Sequence, residues 1–233
     1  MRVFLAGATG VIGRRVVPLL LADGHQVTGM TRSPGRADEL RATGVEAMIC
    51  DVFDAQALEA AVVEAKPDAV VHELTDLPKR PEPRKYKTQL ASTKKIRSEG
   101  TRNLVAAARV AGARRFVAQS IAFAYEASGD WVKDESAPLA LGSPPPMDEI
   151  IGAVAELERL VLEFGGLVLR YGLFYGSATV FANDGFYAEL ARKRRLPVIG
   201  SGSGMSSFVH VDDAAKATVA ALERGSSGRV QRR

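Results

Sequence analysis

The feature that most limits what this chain can fold into is Gly7-Ala8-Thr9-Gly10-Val11-Ile12-Gly13. It follows the apolar run Arg2–Ala6 directly and opens the helix-length apolar segment Val11–Ala22. Each glycine in such a junction has its own use. One permits a tight turn, one lets the backbone approach a pyrophosphate, and one lets helix and strand pack closely. The unpaired amides at the helix start then favour phosphate. A glycine-rich loop alone is weak evidence, but strand, turn, helix and then a further strand is the context a dinucleotide site needs. Gly7, Ala8, Thr9, Gly10, Val11, Ile12 and Gly13 are therefore expected to hold the cofactor diphosphate.

The rest of the chain continues the alternation. Gln26–Met30, Val45–Ile49, Ala69–His72, Arg115–Gln119 and Leu167–Arg170 are short and nearly all apolar, as strands buried on both faces are. Between them lie helical segments at Pro34–Thr43, Ala55–Ala65, Glu99–Ala111 and Glu149–Phe164. Asp54 is placed to cap the second of these three-turn helices, and Gly165-Gly166 closes the last segment. The expected fold is α/β, a doubly wound parallel sheet of Rossmann type with right-handed crossovers. Thr75–Ser98 and Tyr125–Met147 read as long loops. Beyond Tyr171 a helix is expected at Gly185–Arg195, a strand near Ser207–His210, a helix at Asp212–Arg224 and an unstructured tail at Gly225–Arg233.

The end of the second strand addresses which dinucleotide is bound. An NAD site carries a carboxylate about 20 residues after the glycines. Here Met30-Thr31-Arg32-Ser33 has none, and Arg32 stands 19 residues after Gly13. A guanidinium pairs with a 2′-phosphate and stacks on adenine, so NADP is expected in preference to NAD, with Ser33 and Arg36 assisting. Asp51 and Val52 end the third strand, where they would flank the adenine; Asp51 is equally suited to flanking the next helix. His72 ends the fourth strand, where chain and cofactor run close. It is read as a contact to cofactor or substrate, or as a core histidine.

Composition removes other classes. The chain has 233 residues, 46% hydrophobic and 25% charged, with a net charge of +4, which excludes a disordered chain. The single cysteine, Cys50, excludes an intramolecular disulfide framework and a cysteine-based zinc site. No metal site is expected. Val16–Ala22 is too short to span a membrane, and no signal-peptide pattern precedes it, so a cytoplasmic protein without a membrane partner is expected. Eight basic residues stand against Glu82 between Lys79 and Arg97, with Tyr86 the sole aromatic among them. That pattern lacks a stacking platform, so it reads as a solvated face or an anion-attracting rim and not as a nucleic-acid site.

Taken in order, Gly7–Gly13, Asp51-Val52, Val70-Val71-His72, Gly100-Thr101-Arg102-Asn103-Leu104, Arg115–Ser120, Leu169-Arg170-Tyr171-Gly172 with Phe174-Tyr175-Gly176, and Phe208–Asp213 resemble the extended or atypical short-chain dehydrogenase/reductases, the epimerase/dehydratase-like branch. The resemblance implies a reaction at a bound nicotinamide, on a small carbonyl or hydroxyl compound. It implies that a Ser or Thr after the fifth strand hydrogen-bonds substrate, which is Ser120 here. It also implies a Tyr with a Lys four residues later, the cation lowering the phenol pKa. The chain departs from this pattern. Residues 147–153 read Met-Asp-Glu-Ile-Ile-Gly-Ala, and Lys133 is the one Tyr or Lys between Trp131 and Leu169. Tyr125, five residues after Ser120, or a water is the substitute proton donor; like Tyr171 and Tyr175, Tyr125 also suits a pocket wall. Asp148 and Glu149 fit the helix dipole.

The resemblance also divides the chain into a nucleotide-binding domain at 1–175, a small substrate lobe at 176–224 and a flexible tail at 225–233. That lobe is either truncated or naturally short, since relatives continue further. Two functions follow: an NADP-dependent oxidoreductase or epimerase/dehydratase-like enzyme acting on a small-molecule substrate as a monomer or homodimer, or a non-catalytic NADP-binding redox sensor or scaffold.

Overall fold

β1 (Arg2–Ala6) buries every residue but the first, and it lies between two parallel neighbours, β2 (Gln26–Thr31) and β4 (Ala69–His72). Ala6 stands opposite both Met30 and His72. β3 (Glu46–Ile49) extends the sheet outside β2. β5 (Arg115–Ile121), β6 (Leu167–Tyr171) and β9 (Gly228–Arg232) extend it beyond β4. The order is β3-β2-β1-β4-β5-β6-β9 and every pairing is parallel. This is the expected doubly wound Rossmann-type sheet. The computed structural model describes residues 1–198, 200–225 and 227–232.

Helices cover both faces because the central strands β1, β4, β5 and β6 are buried on both sides. On one face, α1 (Gly13–Ala22) and α9 (Val211–Arg224) bury Val16, Leu20, Ala214 and Leu222 with Leu5, Val71 and Leu169. α2 (Pro34–Ala42) adds Leu40 there. On the other face, α3 (Ala55–Ala65), α6 (Thr101–Val110) and α7 (Met147–Phe164) bury Leu58, Leu104 and Leu157 with Phe4, Val70 and Phe116. Local signals fix the helix ends. Asp54 accepts from the Ala57 amide at 3.0 Å, and Gly165 closes α7 at φ 86°. The strand order reverses between β1 and β4, and ligands of such sheets bind outside the carboxyl ends at that point.

Two expectations need correction. Thr75–Ser98 is not one long loop. It contains α4 (Tyr86–Gln89), α5 (Ala91–Lys95) and the start of a π-helical turn at Ile96–Gly100 that runs into α6. Pro83 opens this stretch as the first residue of a 3₁₀ turn, where a missing N–H costs nothing. The helices are too short to carry a hydrophobic period. Thr93 ties them down, its hydroxyl accepting from the Asp76 amide at 3.0 Å and donating to the Asp76 carbonyl at 2.7 Å.

The tail is not unstructured either: β9 pairs with β6, Leu169 opposite Val230. Main-chain pairing to an open edge needs no apolar sequence, and Arg229 adds a 3.0 Å bond to Glu158. Ser226 and Arg233 of that tail lie outside the described residues, as does Ile199 in the expected lobe. Between the main sheet's last strands, β7 (Leu173–Tyr175) and β8 (Phe208–His210) form a separate parallel pair, with α8 (Phe186–Arg192) in the connection. Among the described residues no helix is long and apolar enough to cross a membrane.

Candidate functional site

The glycine loop has no room for side chains. Gly7 sits at φ +96°, and a Cβ there would lie 2.8 Å from the Glu73 carbonyl. A Cβ on Gly13 would lie 2.1 Å from the Gly7 oxygen. Gly10 closes the turn with its amide on the Gly7 carbonyl at 2.9 Å. Ile12, at the N-cap of α1, supplies no side-chain acceptor; the Arg14 and Arg15 amides bond back to the Gly10 and Ile12 carbonyls, so the amides left for a ligand are those just before Arg14. These are the features a diphosphate cradle requires.

Next to it, a cleft of about 60 Å³ opens at the ends of β2, β3 and β4, lined by Met30, Thr31, Arg32, Val52, Phe53 and Leu74 among others. Arg32 and Val52 are thus brought together as expected. The Arg32 guanidinium, 60% exposed, stands 3.9 Å from Asp51 at the rim. Asp51 also accepts from the Phe53 amide at 3.0 Å, and Val52 is fixed by Asn103, which donates to its carbonyl at 2.9 Å. Ser33 caps α2, accepting from the Arg36 amide. The cradle, the uncapped helix start and the cleft together fit an adenine dinucleotide. Among the described residues no cluster suits a metal ion.

His72 is placed differently from a cofactor contact. It is 1% exposed, and both ring nitrogens are engaged. Nδ1 accepts from the Leu74 amide at 3.2 Å, which leaves Nε2 to donate to Thr101 Oγ1 at 3.0 Å. Burial first, and the nearby Arg97 charge second, push its pKa down to about 3. It is a neutral core histidine that shapes the chain leaving β4.

Ser120 is 1% exposed and donates to Glu158 Oε1 at 2.8 Å. Arg170, opposite Ser120 in β6, grips the same carboxylate through Nε at 2.8 Å and Nη2 at 2.6 Å. Burial pushes the Glu158 carboxyl up, but the hydrogen bonds and charge of Arg170 outweigh it and hold it below its ordinary value. The Tyr125 ring lies over that guanidinium, 4.8 Å from its centre. Ser120, Tyr125, Arg170 and Glu158 therefore form one connected group.

The face of α7 turned to this group is apolar. Ile150, Ile151, Val154, Leu157 and Val161 are buried, and Glu158 is their one polar companion. Asp148 accepts from the Gly142 amide at 2.7 Å, and Glu149 pairs with Lys94, so neither acid points inward as an acid pair. Tyr171 is fully buried, its hydroxyl within 2.8 Å of the Ala214 carbonyl. His210 caps α9.

The sequence singles out neither Glu73 nor Glu158, and it places Arg97 in a solvated face or anion-attracting rim, whereas Arg97 is buried. Glu73 follows β4 with one oxygen accepting from Thr218 at 3.2 Å and the other, Oε2, unpartnered; burial pushes its pKa up to about 8. Arg97, in the π-helical turn, is 6% exposed. Glu158 joins Ser120 to Arg170. The signal available for Glu73 was a charge directly after an apolar strand; Arg97 and Glu158 stand among other charges, beside Lys95 and Glu99 and beside Glu156 and Arg159, and carry no such signal.

Comparison with known proteins agrees with this geometry. The NAD dependent epimerase/dehydratase family matches residues 3–233. The chain is 47% identical over 232 residues to a 3-diazoavenalumate denitrifying reductase of a Streptomyces species, covering 98% of this chain and 74% of that one. It is 29% identical over 235 residues to a UDP-glucose 4-epimerase of Mycolicibacterium smegmatis, covering 95% and 73%. The structure of a Thermus thermophilus UDP-glucose 4-epimerase in complex with NAD superposes with a TM-score of 0.78 at 25% identity, covering 99% and 77%. With a family match along nearly its whole length and a reductase relative this similar, the chain belongs to the NAD-dependent epimerase/dehydratase family.

Proposed function

We propose that this protein is an NADP-dependent reductase of small electrophiles that accept hydride without a proton from the enzyme, a diazo compound being the class that fits best. The carrying observation is the inward face of α7, where Ile150, Ile151 and Val154 stand and no Tyr/Lys pair does. When bound, the nicotinamide supplies a hydride. A carbonyl needs a proton as well. Replacement of a diazonium by hydrogen needs none: one hydride enters at the reacting group, the carbon–nitrogen bond breaks and N₂ leaves. The 47% identical relative, named as a denitrifying reductase, supports this class.

The chain's own part is binding and exclusion of water. Gly7–Gly13 hold the diphosphate through main-chain amides. Arg32, with Ser33 beside it, takes the 2′-phosphate, and Asp51 and Val52 flank the adenine. Ser120 and Tyr125 orient the substrate indirectly, Ser120 by fixing the Glu158–Arg170 pair and Tyr125 as a wall stacked on Arg170. Cys50, whose thiol burial pushes up to about 11, is an inert core thiol suited to a reducing cytosol. Partners are the cofactor and a small substrate, with the protein a monomer or homodimer.

The test is to mix the protein with NADPH and either an ortho-diazophenol or a panel of aldehydes and ketones, following NADPH absorbance and N₂ release. Oxidation matched by N₂ with the diazophenol, and little with carbonyls, is expected. Carbonyl turnover at comparable rates overturns the substrate class. Tight NADPH binding with no turnover of either set favours a non-catalytic sensor, which the same apolar face of α7 also suits.

A further inference from the structure

Arg97 is a buried cation with nothing to balance it. It is 6% exposed, and among the described residues it makes no ion pair or hydrogen bond. Burial pulls its pKa down to about 10, with no carboxylate opposing the change, so it stays charged at neutral pH. Nearby acids are engaged elsewhere: Glu99 with Lys95 and Glu149 with Lys94. Glu73 is turned to the opposite face of the sheet, where Thr218 of α9 holds it. An unpaired charge held mostly out of water is costly, and proteins seldom keep one without a use.

Its location gives the use. Thr93 and Thr101 lie four residues to either side, on the same face of the helical stretch. Thr93 grips Asp76, and Thr101 grips His72. Arg97 is thus set against the chain that leaves the carboxyl end of β4, and its charge is felt at His72. Glu73 Oε2 is the one unpartnered side-chain atom sealed from solvent among the described residues, so the unbonded guanidinium of Arg97 retains access. The π-helical turn that carries it is a feature found often at functional sites. It lies on the α6 and α7 side of the sheet, with Ile96 both in that core and on the wall of the cleft that holds Arg32 and Val52, whereas the glycine loop feeds α1 on the other side.

We infer that Arg97 anchors a carboxylate of the substrate at the carboxyl end of β4, and so selects anionic substrates. The inference rests on the reductase reading and deepens it. A planar guanidinium takes two oxygens of a carboxylate at once, and it keeps its charge under burial where an ammonium loses it.

The test is calorimetric titration of the full chain, with and without saturating NADPH, using benzoate, 4-hydroxybenzoate and 4-hydroxycinnamate against their methyl esters. Wild type is expected to bind at least one acid tenfold or more tightly than its ester. R97M loses that preference, keeps its NADPH dissociation constant within twofold and melts higher, since an uncompensated charge has gone. R97K, whose ammonium loses charge more readily under this burial and offers no planar fork, recovers at most part of the preference. A wild type that distinguishes no acid from its ester overturns the inference, as does an R97M that distinguishes them as wild type does. A tenfold loss of NADPH affinity in R97M with the acid preference intact assigns the oxyanion to the cofactor and also overturns it. Failure of wild type to bind NADPH, with the acid preference present, sinks the reductase reading and leaves the anion site standing.

Discussion

Arg170 and Glu158 are joined by two parallel hydrogen bonds in the protein interior, with side chains 3% and 1% exposed. Such a pair is sensitive to losing one member. Arg170→Met leaves a buried carboxylate whose remaining partners are Ser120 and Arg229. It is expected to cost about 3–5 kcal/mol of folding stability, while Arg170→Met combined with Glu158→Leu costs clearly less. Urea unfolding of the single and double variants checks this. A double variant as unstable as the single would show that the pair is not the unit that matters.

Glu73 makes stability depend on pH. Burial raises its pKa from 4.5 to about 8, so the folded chain holds this proton longer than the unfolded one. Its contribution is therefore complete below about pH 4.5, declines as pH rises toward 8 and is flat above. At about 1.4 kcal/mol per unit, the effect is on the order of a few kcal/mol. Glu73→Gln is expected to flatten that slope, seen as a melting temperature that no longer falls between pH 5 and 8. An unchanged slope would assign the pH dependence to another group.

Gly13→Ala places a methyl where the Gly7 carbonyl already is, 2.1 Å from the new carbon. The loop must open. Cofactor binding is expected to weaken by at least about tenfold, or about 1.4 kcal/mol, measured by fluorescence titration with NADPH. Gly152→Ala is the control, since nothing lies within 4 Å of a Cβ there and its backbone is helical.

Arg32→Glu tests the choice of dinucleotide. The side chain is 60% exposed, which weakens its pairing through solvent. A loss of about 1–2 kcal/mol for NADP is expected, from the range of charge-assisted bonds, with NAD changed much less. Parallel titrations with both cofactors read it directly, and equal losses for the two would refute a 2′-phosphate role.

The parallel sheet was legible because strands buried on both faces are written as unbroken apolar runs, and the glycine loop because its working parts are neighbours in sequence. The helices at Tyr86–Gln89 and Ala91–Lys95 were not, since they are held by Thr93 reaching back to Asp76 and not by any repeating apolar face. Gly228–Arg232 is polar and becomes a strand only because β6 offers it an edge. The same holds for the site. Ser120 could be picked out, but its partner Glu158 is 38 residues away, and Arg170 a further 12. His72 looked available until the Leu74 amide and Thr101 occupied both its nitrogens.

The glycine cradle belongs to β1 and α1, whereas Ile150 and Val154 sit on a helix against the opposite side of the sheet. Evolution can therefore rewrite the reacting end one side chain at a time without loosening the handle that holds the coenzyme. A scaffold so divided lets a lineage exchange proton-assisted chemistry for a drier kind while its architecture stays the same.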